Sequence, residues 1–230
     1  MLVSFYKYGR VDHGNPIREF LNNDDDSNPE LIDPLCDGLS RLLFNASQDD
    51  LKEAEKLELP TTQSEILNLR NERLAGTLSL LDDLYKSLPL EWVYRSGCLS
   101  FASNEKPSIE EQTEIINSFE NFAAAGAFSN VRFDWVRAKK KGRLVLSFAT
   151  ARAHLEKGKS LNIAPPGYKK DYDVWRDFIN AKFFHHQTKT SIGTLRAKLE
   201  EVTAKRQQYN ESRYGPDDRE PFDVELFSGT

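Results

Sequence analysis

The chain has 230 residues, of which 39% are hydrophobic and 11% aromatic, a composition typical of a folded globular protein. No apolar run approaches the roughly 20 residues that cross a bilayer, and the start of the chain does not resemble a signal peptide. We therefore expect a cytoplasmic protein without a membrane partner. Cys36 and Cys98 are far apart and lack metal-ligand spacing, which argues against a disulfide-stapled protein.

Charge is distributed unevenly along the chain. The formal net charge is −5, but residues 132–170 hold 11 Lys and Arg against 2 Asp and Glu, a net charge of +9. Residues 1–131 carry a net charge of −12, and residues 171–230 carry −2. A positive segment in an otherwise acidic chain directs a polyanion such as DNA to one surface. The alternative interpretation is a solvated basic hairpin without a partner.

The first half of the chain predicts one strand followed mainly by helices. The predicted elements are a strand at 2–8, a short helix at 17–21, an exposed acidic loop at 22–26 and a helical region at 29–88. The helical region breaks near Pro60, after which Thr62 and Glu65 form a capping box. An apolar face for core packing follows, made of Leu67, Leu74, Leu78, Leu81 and Leu88.

The second half of the chain alternates between strands and helices. We expect a strand at 92–101, a helix from Ser108 to about Gly126, strands at 131–137 and 143–150, and helices at 173–181 and 195–209. Ser108 and Glu111 form a second capping box. The stretch 139–142, Lys-Lys-Lys-Gly, predicts a hairpin turn that carries three cations.

A series of short motifs runs from Tyr94 to Asn180. They are Tyr94–Ala102 (YRSGCLSFA), Phe119–Glu120, Trp135–Val136, Gly142–Leu144, Gly158–Gly167 and Trp175–Asp177 with Asn180. In this order they resemble the motifs of MobA-type mobilization relaxases from colicin plasmids. Leu2–Phe5 and Pro16–Ile17 are similar to the first strand and the Tyr-bearing helix of that family. The resemblance covers residues 1–20 and 90–181.

The resemblance implies a fold and an activity. The fold is α+β, with a central, largely antiparallel sheet and helices packed on both faces. One domain would span residues 1–210, with an enlarged helical insertion at about 29–88, and a polar tail would follow at 211–230. Family members cut one DNA strand with a Tyr that becomes joined to the 5′ phosphate, and a divalent metal such as Mg²⁺ or Mn²⁺ assists.

The family's catalytic positions are occupied here by other residues. Aligned on Gly142–Leu144, the His, Glu and Asn that hold the metal correspond to Ala138, Val145 and Ser147. The Tyr position corresponds to Glu19 or, with a slip of one residue, to Phe20. Ala and Val have no ligand atom, and Phe has no hydroxyl to attack phosphorus. We therefore expect no catalytic residue at these positions, no metal and no other cofactor.

Positive charge surrounds these positions, so the sequence predicts a catalytically degenerate, relaxase-like DNA-binding protein of a mobile genetic element. Its partner would be single-stranded or hairpin DNA, and an intact relaxase or another mobilization protein is a further candidate partner. The predicted DNA-binding residues are Arg137, Lys139, Lys140, Lys141, Arg143, Lys157, Lys159, Tyr94 and Arg95. Trp135 and Tyr168 are further candidates for stacking on bases, although packing in the core is the favoured interpretation for each aromatic residue taken alone.

Two other functions stay open. The first is an active nickase with a rewired site, in which Tyr6 or Tyr8 is the nucleophile and protonated His13 binds phosphate. The second is a protein-interaction module without DNA binding, which docks a partner through helices at 63–88 and 195–209. The pair at 185–186, two adjacent His, is expected at the surface, because neighbouring side chains point apart and do not share a metal.

Overall fold

The protein is described by a computed structural model that covers residues 1–6, 8–22, 29–57, 59–184 and 190–217. Its elements in chain order are β1 (Leu2–Phe5), α1 (Pro16–Leu21), β2 (Glu30–Leu31), α2 (Pro34–Asn45), α3 (Gln48–Lys56), α4 (Gln63–Ser87), β3 (Tyr94–Ser100), α5 (Ile109–Ala123), β4 (Phe133–Lys140), β5 (Arg143–Ala151), β6 (Ala153–His154), β7 (Lys159–Ser160), α6 (Lys169–Phe183) and α7 (Ile192–Tyr214). Short 3₁₀ turns occupy Val11–His13 and Phe128–Asn130.

Five of the described strands form one antiparallel sheet in the order β1-β3-β5-β4-β2. The three long central strands β3, β5 and β4 set its register, with Leu99 opposite Leu146 and Trp135 opposite Phe148. The predicted basic hairpin joins β4 to β5 through a two-residue turn. Both turn residues, Lys141 (φ 51°) and Gly142 (φ 74°), have positive φ, as a tight turn that follows the twist of the strands requires.

One face of the sheet packs against α5, α6 and α7. Phe119 of α5 is fully buried at the centre of this core. Its ring lies 4.9 Å from that of Phe148 in the sheet and 5.3 Å from that of Trp175 in α6. Leu195 and Tyr214 of α7 belong to the same core. Burial of such large aromatic side chains accounts for a major part of folding stability.

The opposite face packs against α1 and α4. Ile17 of α1 and Leu81 of α4 are buried there with Val136 and Ala149 of the sheet. Helices therefore cover both faces of an antiparallel sheet, and the expected α+β fold is confirmed.

Both predicted capping boxes are present, at Thr62 before α4 and at Ser108 before α5. The helical region that precedes α4 differs from the prediction, because the two-residue strand β2 pairs with β4 and a third capping box at Ser47 separates α2 from α3. The predicted apolar face of α4 is wrong at one position: Leu67 is 57% exposed, whereas its neighbour Ile66 is buried.

The last helix is longer than predicted. It runs from Ile192 to Tyr214, and the buried Tyr214 donates its hydroxyl hydrogen to the carbonyl oxygen of Ser160 (2.6 Å). Most of the predicted acidic loop, the His pair at 185–186 and the chain after residue 217 lie outside the described residues. Among the helices that are described, none is long and apolar enough to cross a membrane.

Candidate nucleic-acid interface

A cleft of about 910 Å³ opens between α1, the end of β1 and the start of β3. This volume lies within the usual range for ligand-binding clefts. The cleft is lined by Phe5, Tyr6, Tyr8, His13, Pro16, Glu19, Phe20, Trp92, Tyr94, Arg95, Ser96 and Lys140. It therefore brings together residues from three of the sequence predictions: the DNA-binding set, the displaced nucleophiles and the family's Tyr position.

Helix α1 is held over the sheet by polar contacts to α4. Asn15 caps the helix, because its Oδ1 accepts a hydrogen bond from the backbone N–H of Ile17 (3.0 Å). The Nδ2 of the same side chain donates to Asp82 Oδ1 of α4 (2.9 Å), and Arg18 pairs with Asp82 Oδ2 (2.8 Å). Burial of Ile17 against the sheet completes the docking. Glu19 and Phe20 are thereby placed in the wall of the cleft.

The positions aligned with the family's metal ligands share the face of the sheet on which α1 docks. Ala138 lies directly opposite Val145, and Ser147 lies opposite Val136. Side chains of directly opposed residues point to the same face, and Val136 packs in the core beneath α1. The fold thus gathers the aligned positions on the face of the sheet where α1 docks.

The residues at these positions do not fit a divalent metal. The side chains of Ala138 and Val145 contain no oxygen, nitrogen or sulfur atom that could bind a metal. The hydroxyl of Ser147 is one neutral oxygen, whereas Mg²⁺ is held in proteins through carboxylates. Across the described ranges, no group of three or more His, Cys, Asp or Glu side chains is placed to hold a metal ion. No chemical step through a metal can therefore be derived for this face.

The hydroxyls of Tyr6 and Tyr8 are both engaged by the fold. Tyr6 donates to Cys98 Sγ (3.1 Å), and burial together with this thiol raises the pKa of Tyr6. The raised pKa disfavours the phenolate that would attack phosphorus. Tyr8 accepts a hydrogen bond from Asn162 Nδ2 (3.0 Å) and donates to the carbonyl oxygen of Ala164 (3.4 Å). These contacts fix the orientation of both rings in the wall of the cleft.

His13 also lies in the cleft wall, as the sequence predicts for the first loop. Its Nδ1 accepts a hydrogen bond from the backbone N–H of Arg10 (3.3 Å), which closes the 3₁₀ turn. The Nε2 atom lies 4.0 Å from Asp12 Oδ1. The imidazole is therefore oriented by the turn that precedes α1.

The cations of the β4–β5 hairpin form one basic surface at its tip. Lys139, Lys141 and Arg143 are exposed there. Lys140 is half-buried and reaches into the cleft. The tip therefore connects the cleft to the solvent-facing cations, and we call Lys139, Lys140, Lys141 and Arg143 the basic tip.

Arg137 does not belong to the basic tip. Its side chain is 14% exposed and pairs with Glu30 Oε1 of β2 (2.6 Å) and with Asp37 Oδ2 of α2 (3.4 Å). Its Nε donates to Gln112 Oε1 of α5 (2.8 Å). The guanidinium binds side chains of β2, α2 and α5. The position of Arg137 therefore does not match its sequence-based assignment to the DNA-binding surface.

Lys157 and Lys159 are exposed at the other end of β5. The basic tip precedes this nine-residue strand, whereas these two lysines follow it in the small β6–β7 hairpin. A rise of about 3.3 Å per residue places the two ends of β5 roughly 25 Å apart. The positive segment of the sequence therefore forms two separate basic surfaces.

The aromatic residues proposed to stack on bases differ in accessibility. Trp135 is 4% exposed and lies in the core against Phe119, so its assignment as a stacking residue is wrong. Tyr94 lines the cleft but is 6% exposed and packs on Tyr85 (ring centroids 5.3 Å apart). Tyr168 is half-buried with its ring 5.1 Å from that of Phe5.

Sequence reasoning missed two arginines that stack on aromatic rings of the cleft wall. Arg95, which was predicted, stacks on Tyr8, and so does Arg152, which was not. Arg10, also missed, stacks on Trp92 (4.4 Å from the ring centroid). The signal in the sequence was a cation directly after the β5 strand pattern. Nothing in the chain order indicates that Arg95 and Arg152 contact the same ring.

Glu120 of the Phe119–Glu120 motif is a half-buried titratable group. Burial raises its pKa to about 7, although the hydrogen bond from Trp135 Nε1 (2.7 Å) acts in the opposite direction. Burial also raises the pKa of the neighbouring Asp134. Both carboxyls therefore bind a proton more tightly in the folded than in the unfolded state.

We expect this pair to make stability depend on pH. Because the folded-state pKa of Glu120 lies above the unfolded value, the free energy of unfolding should fall by about 2 kcal/mol as pH rises from about 5 to 7. Urea unfolding at several pH values measures this. Glu120→Gln should flatten most of the dependence, whereas Glu114→Gln, at a half-exposed site on the same helix, should not. An unchanged pH profile in Glu120→Gln would contradict the assignment.

Comparison with known proteins gives one partial match. The chain is 35% identical over 91 residues to a Neisseria gonorrhoeae protein named cryptic plasmid protein C. The matched segment covers 38% of this chain and 43% of that protein, so the chain spans less than half the length of this relative. No protein-family model and no solved structure matches the chain significantly. The comparisons thus connect the chain to a plasmid protein and give no specific support for the relaxase family.

Proposed function

We propose that the chain is a relaxase-like DNA-binding protein of a plasmid, and that it binds single-stranded or hairpin DNA without cutting it. The observation that carries the proposal is the arrangement of the cleft. Helix α1 lies over the sheet face that holds Ala138, Val145 and Ser147, where the resemblance places a catalytic centre. That face offers no hydroxyl on α1 at Phe20, and the described residues include no metal-ligand set there.

Charge at the cleft supports a polyanionic partner. Lys140 joins the cleft to the exposed cations of the basic tip, and Arg95 lies in the wall near its other end. Fixed cations at both ends of a cleft suit a phosphate backbone, whose counterions are released on binding. The cleft is also rich in aromatic rings, which stack on unpaired bases regardless of sequence. The name of the Neisseria relative supports a plasmid as the genetic context.

The proposal predicts DNA binding that depends on the basic tip. Fluorescence anisotropy of labelled single-stranded, hairpin and duplex DNA, repeated over a salt series, measures it. Changing Lys139, Lys140 and Lys141 together to Ala should weaken binding roughly 10- to 100-fold at low salt, and should reduce the salt slope by about 2. The matched control replaces three exposed lysines on distant helices, Lys52, Lys198 and Lys205, and removes the same charge. It should leave binding nearly unchanged.

Two results would overturn the proposal. Wild-type protein that ignores all three DNAs at low salt would favour the protein-interaction module. A covalent protein–DNA adduct on a denaturing gel, formed with Mg²⁺ or Mn²⁺ and lost in Tyr6→Phe or Tyr8→Phe, would show the rewired nickase instead. Equal weakening by the control triple variant would mean that net charge, and not the tip, drives association.

A further inference from the structure

Arg95 is a buried cation without a polar partner among the residues that the structure describes. It extends from β3 into the wall of the cleft and is only 7% exposed. Its guanidinium has five N–H donors, yet it forms no hydrogen bond or ion pair with any described residue, and its Nε is fully buried without a partner. Burial of an unpaired charge is costly, and proteins retain such groups mainly where a ligand completes them.

A second arginine with an unpartnered Nε lies on the same Tyr8 ring. Arg152 follows β5, is half-buried, and has a fully buried Nε without a partner. The only polar contact of its guanidinium within the described residues is a long one to the carbonyl oxygen of Trp92 (3.4 Å). Burial lowers the pKa of Arg152, and the charge of Arg95 lowers it further. Two like charges thus share one site without a carboxylate between them.

Tyr8 holds the two guanidinium groups in place. Their Cζ atoms lie 4.2 Å (Arg95) and 4.4 Å (Arg152) from the centroid of its ring. The two carbons are therefore at most about 9 Å apart, so both cations belong to one site around this ring. The ring itself is fixed, because its hydroxyl is bonded to Asn162 and to the carbonyl oxygen of Ala164. The site is therefore preorganised.

The surroundings keep the charge at this site positive. Arg10 lies over the neighbouring Trp92 ring, and its Nε is likewise buried without a partner. Its carboxylate partner Glu91 is largely exposed (63%). Cation–π contacts with Tyr8 and Trp92 offset part of the desolvation of these arginines but use none of their N–H donors.

We propose that Arg95, supported by Arg152 and oriented by Tyr8, binds a phosphate group where Arg95 and Tyr8 line the cleft. The site follows from the unpaired guanidinium groups, whereas a DNA strand as the source of the phosphate rests on the proposed function. The phosphate is either the monoester at a 5′ end or a diester within the strand. Both present the tetrahedral oxygens that guanidinium recognises by paired hydrogen bonds.

Inorganic phosphate is the first probe. Thermal unfolding in phosphate and in sodium chloride of equal ionic strength should show a rise of about 2 to 5 °C in Tm for the wild type. Arg95→Met keeps the length of the side chain but removes its charge and donors. This variant should have a higher Tm than the wild type in chloride, since the unpaired charge is gone, and should lose the phosphate shift. Arg213→Met, at an exposed arginine on α7, should keep the shift.

Oligonucleotides with a 5′ phosphate or a 5′ hydroxyl identify the source. A preference for the phosphorylated strand that disappears in Arg95→Met assigns the site to the strand end. If Arg95→Met instead binds both oligonucleotides about tenfold more weakly than the wild type, the site holds an internal phosphate of the strand. If Arg95→Met does not fold, Arg95→Lys and Arg152→Met replace it, and a reduced phosphate shift is expected because Lys lacks the planar fork.

The outcomes separate this inference from the proposed function. A wild type that binds DNA but shows no phosphate shift, or an Arg95→Met protein that keeps the full shift, would overturn the phosphate site and leave DNA binding intact. A phosphate shift that needs Arg95, in a protein that binds no DNA, would support the site and refute the proposed function.

Discussion

Gly97→Val is expected to prevent stable folding, with a loss of more than about 4 kcal/mol in the free energy of unfolding. Gly97 lies in the middle of β3, opposite Phe5 and Phe148. A Cβ atom at this position would lie 2.4 Å from the carbonyl oxygen of Ser4 and 2.7 Å from the ring of Phe148. Real Cβ atoms do not approach other atoms so closely, and Val adds two further methyl groups.

Neither neighbour of Gly97 can move away. The Ser4 carbonyl belongs to the backbone of β1, which is held by its pairing with β3. The Phe148 ring is fully buried and is wedged against Phe119, with centroids 4.9 Å apart. The variant must therefore separate β1 from the sheet or break the aromatic core, and β1 leads directly into the tyrosines of the cleft.

Circular dichroism and urea unfolding test this expectation. Gly76→Ala is the matched control, because Gly76 lies within α4 with no atom inside 4 Å of an added Cβ. That change should stabilise the protein by about 0.5 to 1 kcal/mol, since Ala has the higher helix propensity. A Gly97→Val protein that unfolds cooperatively at the urea concentration of the wild type would contradict the packing of β1 on β3.

Local signals made much of this fold predictable from the sequence. The capping boxes at Thr62 and Ser108 depend on residues three apart, and the β4–β5 hairpin depends on alternation around one turn. The capping box at Ser47 carried the same kind of signal and was overlooked inside a longer helical pattern. Strand β2 could not be predicted, because two residues give no alternation and only pairing with β4 makes them a strand.

Predictions about the site failed where they depended on contacts distant in sequence. Alternation along β4 places Trp135 and Arg137 on the face covered by α5, and neither residue lines the cleft. The partners that occupy Arg137, Glu30 and Asp37, lie about 100 residues earlier in the chain. Likewise, the Arg95–Arg152 pair exists only because β3 and β5 are neighbours in the sheet. The charge of a segment therefore identified the cations without showing which of them face the cleft.

Arg137→Ala should destabilise the protein by about 3 kcal/mol rather than remove a DNA contact. Arg137 and Arg70 of α4 share the carboxylates of Glu30 and Asp37, at distances of 2.6 to 3.4 Å. Asp37 is only 10% exposed, so loss of one cation leaves its charge poorly compensated in a water-poor site. Gln112 also loses the donor to its side-chain oxygen. The network ties α2, α4 and α5 to the edge of the sheet, which is why its loss should be felt in global stability.

Urea unfolding and DNA binding measured on the same Arg137→Ala sample separate the two roles of this arginine. Arg143→Ala is the control, since this exposed cation of the basic tip should change stability by less than about 0.5 kcal/mol while weakening DNA binding. At temperatures where Arg137→Ala stays folded, its affinity for DNA should be close to that of the wild type. Unchanged stability with lost DNA binding would instead restore Arg137 to the interface. It would also show that the ion pairs with Glu30 and Asp37 open when the protein meets its ligand, because a guanidinium held by two carboxylates has few donors left for a phosphate.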